Sequence, residues 1–200
     1  RPLNSADFNL LRTSFNVSHK FKGWYETSAG IEAKFVDQLT TGIIDSVLEQ
    51  DAGKDEIYSL SLFASNDTRK NYFNPVNSSV TELGLTFSSS HGFSKEGRAE
   101  NTQYFTLITS WKRYQPMDFK FIHKKLKFTF ANRIKIGTIW EVGSKGTIPI
   151  SDLFFAGGAT TVRGYREQLL GPLSFKTDGT PIALGGKLIF LANAEIRFPL

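Results

Sequence analysis

One segment of the chain places an arginine among glycines, small residues and aromatics. It reads FFAGGATTVRGYRE over residues 154–167, with the arginine at position 163. Its glycines, Gly157, Gly158 and Gly164, let the backbone adopt positive φ angles or pass close to another surface. A guanidinium stays charged when it is partly desolvated and can bind a carboxylate through two parallel hydrogen bonds. The segment therefore predicts a compact loop whose Arg163 is suited to an acidic partner.

Other residues that carry chemistry in proteins do not converge in this sequence. The absence of cysteine excludes disulfides, thiolate metal sites and a cysteine nucleophile. His19, His91 and His123 fall in different segments, without the spacing of metal ligands. The sequence GSKG at residues 143–146 matches neither a phosphate-binding loop nor a nucleophile elbow. We therefore expect no enzyme activity, no metal and no cofactor.

The elements that must position Arg163 are β-strands, because apolar and polar residues alternate along the chain. In residues 125–136 the even positions include Phe128 and Phe130, whereas the odd positions include Lys127 and Arg133. Residues 187–198 repeat this pattern, and only Ile189 and Leu191 interrupt the polar face. A period of two with one apolar face is that of a strand. The pattern predicts seven strands, over residues 11–21, 25–35, 56–66, 80–90, 103–114, 125–136 and 187–198.

The predicted strands are longer than those of most soluble proteins. They have about 10 to 14 residues, against about 5 or 6 in soluble sheets and about 9 to 11 in strands that cross a bilayer. No apolar run is long enough for a transmembrane helix. The lengths favour an all-β fold, an antiparallel up-and-down transmembrane β-barrel. A soluble long-stranded barrel or sandwich predicts a similar alternation, so strand pattern alone leaves it open.

The connections place the arginine segment at one end of the sheet. Every second connection of a meander lies on the same side, so residues 37–55, 91–102 and 139–184 share an end, which we assign to the outer side. Residues 115–123 are predicted to connect strands at the opposite end. A bacterial-type barrel needs at least about eight strands, so residues 1–200 are expected to form a partial barrel. The start at Arg1, without a methionine or a signal peptide, predicts a piece of a longer precursor.

The chain is basic, with a net charge of +5 and a pI of about 9.4. Several basic residues between positions 112 and 135 alternate along one strand face, as they would on the wall of a solvated lumen. We therefore expect no nucleic-acid partner.

Several motifs resemble the barrel domain of the BamA/TamA-type outer-membrane assembly factors. The matching strings are FFAGGATTVRGYRE and, later in the chain, GGKLIFLANAEIRFPL. The resemblance implies a tetrad at the tip of an outer loop, here residues 139–184, that folds back into the lumen; its members are Val162, Arg163, Gly164 and Tyr165. It also implies that Gly185 and Gly186 open the next strand and that Glu195 points inward. Asp67, Arg69 and Pro75 match the inner-side turn of the family.

The resemblance further implies that Arg163 is a latch, which reaches from the loop tip into the lumen and pairs with Glu195. Alternation independently points Glu195 inward, beside Asn193 and Arg197. Tyr165 is expected to pack against the barrel wall.

The function implied by the resemblance is that of a bacterial outer-membrane factor, without catalysis, which inserts or translocates other membrane or secreted proteins. Its implied partners are outer-membrane lipid, unfolded client β-barrel or secreted proteins, and periplasmic POTRA domains with accessory subunits elsewhere in a longer protein. An organelle outer membrane is the alternative location. Two alternative functions stay open, a two-partner-type secretion pore and a passive porin-like channel.

Overall fold

The fold is a single long-stranded antiparallel sheet with a small hairpin beside it. The computed structural model describes residues 7–21, 23, 25–39, 53–94, 99–121, 124–142, 147–175 and 179–198. In chain order the strands are β1 (Asp7–Phe21), β2 (Tyr25–Leu39), β3 (Gly53–Asp67), β4 (Ser78–Ser94), β5 (Ala99–Phe121), β6 (Lys124–Glu141), β7 (Leu173–Phe175), β8 (Pro181–Ala183) and β9 (Leu188–Arg197). Seven of them form the sheet, in the order β1-β2-β3-β4-β5-β6-β9, and β7 pairs with β8. The sheet does not close on itself, so the chain forms a partial barrel.

Helical structure contributes little to the described part of the chain. Its one helical element is a single 3₁₀ turn, η1 (Ile150–Asp152), in the connection between β6 and β7. Within the same residues, no helix has the length and apolarity needed to cross a membrane.

The two faces of the sheet have opposite polarity. On one face Ile136 pairs with Phe190, and Leu188 and Phe190 are 70% and 65% exposed. On the other face Arg133 pairs with Asn193, two residues from Glu195 on β9. We call these the lipid face and the lumen face. An exposed apolar face opposite a polar one is the pattern of a transmembrane barrel wall, and it confirms the predicted alternation.

The lumen face changes character along the strands. Near the outer end it carries a buried set of side chains that we call the apolar layer: Val36, Ile57, Tyr104, Ile139, Ile189 and Leu191. Towards the inner end it carries ion pairs, such as Lys112 with Glu82 at 3.2 Å. Ile189 and Leu191, which interrupt the predicted polar alternation, therefore belong to a distinct zone of the same face.

Several strands extend beyond their predicted ends. Residues 115–121 are part of β5, so the prediction of a connection over residues 115–123 is wrong for the residues that the structure describes. The pairing of β4 with β5 ends at Ser78 and Tyr114, and beyond it β5 pairs only with β6. Pro116 therefore lies where one side of the strand has no partner, and its missing N–H breaks no ladder.

The long outer connection also differs from its predicted bounds of 139–184. β6 continues to Glu141 and β9 begins at Leu188. The hairpin of β7 and β8 lies within this connection and was not predicted. His123 and the GSKG sequence at residues 143–146 lie outside the described residues.

Candidate functional site

The connection between β6 and β9 packs its first part against the apolar layer. Ile148 is buried in one cluster with Tyr104 and Ile139, and Leu153 and Phe154 pack against that cluster. Thr102 on β5 donates a hydrogen bond to the carbonyl of residue 147 at 3.2 Å. Residues 147–155, which we call the loop base, therefore cover the outer part of the lumen face.

Backbone hydrogen bonds join the loop base to the start of β9. The N–H of Phe154 donates to the carbonyl of Gly186 at 2.9 Å, and the N–H of Gly186 donates back to Phe154 at 2.9 Å. Gly185 has a φ of +73°, and a Cβ at this position would lie 2.8 Å from Leu153 Cβ. Gly185 thus lets the chain pass directly against the loop base just before β9 begins.

Beyond the base, residues 156–170 fold into a compact turn that we call the loop tip. The hydroxyl of Thr161 accepts a hydrogen bond from the N–H of Gly157 at 2.8 Å and donates to its carbonyl at 2.7 Å. Gly158 N–H donates to the carbonyl of Tyr165 at 3.2 Å, and Tyr165 N–H donates to the carbonyl of Val162 at 3.4 Å. The tetrad therefore lies in a turn closed by hydrogen bonds.

Three glycines in the loop tip adopt positive φ angles for different local reasons. Gly157 has a φ of +112°, and an added Cβ would lie 2.3 Å from the carbonyl oxygen of Arg166. The three atoms nearest a Cβ on Gly158 would all belong to the side chain of Glu167, whereas a Cβ on Gly164 would have no described atom within 4 Å apart from those of its chain neighbours. Gly157 is thus required by both conformation and space, whereas Gly164 is required by conformation alone.

The arginine of the tetrad contacts the glutamate of β9. Arg163 Nη2 lies 2.9 Å from Glu195 Oε1, and Arg197 Nη2 lies 3.0 Å from Glu195 Oε2. The side chains of Arg163 and Glu195 are 71% and 31% exposed, so water screens their pair. The guanidinium of Arg197 lies 5.4 Å above the ring of Tyr114. Glu195 therefore binds one arginine from the loop and one from its own strand.

Two wall side chains that the sequence analysis did not single out as loop contacts also bind the loop tip. Arg133 Nη1 donates to the carbonyl of Thr160 at 3.0 Å, and Asn193 Nδ2 donates to the carbonyl of Thr161 at 3.0 Å. Arg133 and Asn193 are paired across β6 and β9. Alternation places both on the lumen face, but no residue pattern marks a carbonyl as their acceptor.

Asp152 of η1 forms a second contact between loop and wall, which the sequence analysis missed. Lys34 on β2 donates to one of its carboxylate oxygens, and the hydroxyl of Tyr104 on β5 donates to the other at 2.5 Å. The side chains of Lys34 and Asp152 are only 11% and 16% exposed. The two residues lie 118 positions apart, so no local signal pairs them.

The inner-side turn lies between β3 and β4, at the end opposite the loop. Arg69 binds Asp67 through Nε at 2.9 Å and through Nη2 at 2.7 Å, and these hydrogen bonds raise the pKa of Arg69. Thr68 and Ser79 close the turn, with a backbone hydrogen bond of 2.9 Å from Thr68 N–H to the carbonyl of Ser79. Pro75 is buried. Of the predicted residues of this turn, Asp67 and Arg69 therefore bind each other directly.

Among the described residues, the side chains of Tyr165, His19 and His91 take no part in the hydrogen bonds and ion pairs between loop and wall. Tyr165 is 56% exposed, and its packing against the wall stays a prediction. His91 lies 2.8 Å from the side-chain oxygen of Asn101, and the ring of His19 lies 4.3 Å from that of Phe21. Over the described ranges, no three histidine, aspartate or glutamate side chains are grouped so that they could hold a metal ion.

The fold and the loop together define the wall of a transmembrane β-barrel that carries an outer loop on its lumen face. The model of the Omp85 superfamily domain matches residues 4–200, and the chain belongs to this superfamily. It is also similar to the outer membrane protein assembly factor BamA of Neisseria meningitidis serogroup B (strain ATCC BAA-335 / MC58), with 33% identity over 73 residues. This alignment covers 36% of the chain and 9% of the relative. Family and relative support an outer-membrane location.

Proposed function

We propose that the chain is part of the barrel of an outer-membrane assembly factor, which inserts or translocates other membrane or secreted proteins. The observation that carries the proposal is the contact of the tetrad Arg163 with Glu195, in a chain of the Omp85 superfamily. The relative similar to part of this chain is itself named as an assembly factor. A bacterial outer membrane is the proposed location.

The latch works as a cluster and not as one strong ion pair. A pair as exposed as Arg163 and Glu195 contributes at most about 1 kcal/mol. Hydrogen bonds from Arg133 and Asn193 to loop carbonyls act beside it, and each such bond adds roughly 0.5 to 1.5 kcal/mol. The cluster holds the loop tip at the charged inner part of the lumen face, while the loop base stays on the apolar layer.

The proposed partners follow from the two faces and from the family. The lipid face contacts the hydrocarbon of the outer membrane through side chains such as Leu60 and Phe190. Unfolded client strands are proposed to be engaged through backbone pairing and membrane distortion, without covalent chemistry. POTRA domains and accessory subunits are proposed for other parts of a longer protein.

The loop position bears on the two alternative functions. A passive porin-like channel needs an open polar path, whereas here Ile148, Leu153 and Phe154 lie on the outer part of the lumen face. A two-partner-type secretion pore shares the tetrad loop and differs in its clients. The assembly role is therefore favoured over the channel by the loop, and over the secretion pore by the similarity to an assembly factor.

The test uses the full-length protein in cells depleted of the native copy. Arg163→Ala and Glu195→Ala are each expected to reduce the amount of folded client barrel, measured by its heat-dependent mobility in gels. Arg166→Ala is the matched control, because it removes the same charge from the same loop and Arg166 has no ion pair among the described residues. Normal client assembly in both test variants, or equal loss with Arg166→Ala, would contradict the proposal.

A further inference from the structure

The loop base carries a shielded carboxylate that the latch does not use. Asp152 accepts hydrogen bonds from Lys34 and from Tyr104, while its neighbour Ser151 donates a third at 3.2 Å. All three donors satisfy the same side chain, and they come from β2, from β5 and from the loop itself. We propose that Asp152 is a second anchor, a positioning residue that fixes the loop base to the wall independently of the loop tip.

The position of the donors shows what such an anchor would hold together. β2 and β5 are separated in the sheet by β3 and β4, so one carboxylate links the loop to strands at both ends of a four-strand span. Tyr104 also packs in the apolar layer against Ile139 and Ile148. Its hydroxyl and its ring therefore bind two successive parts of the loop base, the aspartate of η1 and the isoleucine that precedes η1.

The base contact is better shielded from water than the tip contact. Lys34 and Asp152 are both nearly buried, whereas the guanidinium of Arg163 is mostly exposed. Screening weakens exposed pairs, and the loss of one partner of a shielded pair leaves the other charge without compensation. Asp152 is therefore expected to hold the loop base even when the latch at the tip is broken.

The inference rests on the proposed function in one respect, namely that the position of the loop matters to the protein. Its test does not depend on client assembly. The probe is Ile148→Cys in an otherwise cysteine-free full-length protein; the 200 residues of this chain contain no cysteine. Ile148 belongs to the loop base and is buried against Tyr104 and Ile139 of the wall, so a membrane-impermeant maleimide labels the probe slowly while the base is docked. Labelling rates are measured on the protein in outer membranes.

Asp152→Asn is expected to raise the labelling rate of the probe by roughly fivefold or more, the factor that corresponds to a modest weakening of a docked state. Arg163→Ala should leave this rate unchanged, because the tip and base contacts share no residue. Glu167→Gln is the matched control, since it neutralises an exposed acid in the same loop. An unchanged rate with Asp152→Asn would overturn the inference.

Two further variants keep the test decisive if Asp152→Asn does not reach the membrane. Tyr104→Phe removes one of the two wall donors and should raise the rate by a smaller factor. Lys34→Asp and Asp152→Lys should each make labelling fast. The double variant that carries both changes should label slowly again, because it places opposite charges at the same two positions. If the double variant labels as fast as the two single variants, the proposed anchoring role of Asp152 is contradicted. If Asp152→Asn labels fast and client assembly stays normal, the inference about Asp152 is supported and the proposed role of the loop is contradicted.

Discussion

Gly157 combines a positive φ angle with direct contact against the backbone of the same loop. An added Cβ would lie 2.3 Å from the carbonyl oxygen of Arg166, and backbone atoms cannot move aside as a side-chain end can. We expect Gly157→Ala to loosen the loop tip, at a cost of at least about 1 to 3 kcal/mol for the strained conformation. Trypsin cleavage after Arg163 or Arg166 in the membrane-embedded protein measures this loosening.

Gly164→Ala is the comparison for that prediction. Gly164 also has a positive φ, of +93°, but among the described residues no atom beyond its chain neighbours lies within 4 Å of an added Cβ. The alanine there should accelerate cleavage less than alanine at position 157. Equal rates for the two variants would show that close packing around Gly157 does not matter.

Glu195 binds two arginines, so substitution of Glu195 should lower the stability of the protein more than substitution of either arginine alone. Glu195→Gln removes the negative charge that faces both Arg163 and Arg197. In a double-mutant cycle we expect coupling between Arg163→Ala and Glu195→Ala of at most about 1 kcal/mol, measured by urea unfolding of the protein in lipid. Losses that simply add, with no coupling, would show that the contact contributes nothing to stability.

The residues of the site differ in how far sequence reveals them. Arg163 stands out among small residues, and the period of β9 places Glu195 on the lumen face. The contact of Asp152 with Lys34 joins residues 118 positions apart, and neither lies in an unusual local pattern. Such contacts depend on where the loop crosses the sheet, which no short-range periodicity encodes.

At the scale of elements, the alternation of residues predicted all seven strands of the sheet, because each strand has one lipid-facing side over its whole length. The ends of the strands were harder to predict than the strands themselves. β5 continues past Pro116, where the proline faces an unpaired side and the local pattern gives no warning. The hairpin strands β7 and β8 have three residues each, too few for any period to show.

The two faces of β3 provide a direct test of the membrane orientation. Leu60 and Ser61 are neighbours at the middle of the strand, with Leu60 on the lipid face and Ser61 bonded to Thr86 at 3.2 Å on the lumen face. Leu60→Arg should destabilise the barrel by about 2 to 4 kcal/mol, the cost of a basic residue near the bilayer midplane. Ser61→Arg, which adds the same side chain to the polar face, should cost clearly less. Unfolding in lipid vesicles measures both, and the reverse order would contradict the assigned faces.

At the scale of the whole molecule, the sheet of this chain exposes apolar side chains over its lipid face and has β1 and β9 at its two edges. Exposed apolar surface and open strand edges both promote association in water. Residues 1–200 expressed alone should therefore aggregate without detergent, as measured by light scattering after size-exclusion chromatography. A monodisperse soluble monomer would contradict the assignment of the apolar face to lipid.

Two separate polar contacts hold the loop against the barrel wall. The tip contact through Arg163 and the base contact through Asp152 share no side chain, and the apolar layer lies beneath the base. Either contact alone should keep the loop on the lumen face, since the untouched one still holds it at high effective concentration.

In planar bilayers the full-length Arg163→Ala and Asp152→Asn variants should thus conduct ions almost as wild type does. The double variant should conduct more, because the loop then leaves the lumen more often. The pair of changes Arg166→Ala and Glu167→Gln removes the same charges from the same loop and should leave conductance unchanged. If the double variant conducts no more than either single one, the loop is held by its apolar contacts and backbone bridges, and the polar anchors are secondary.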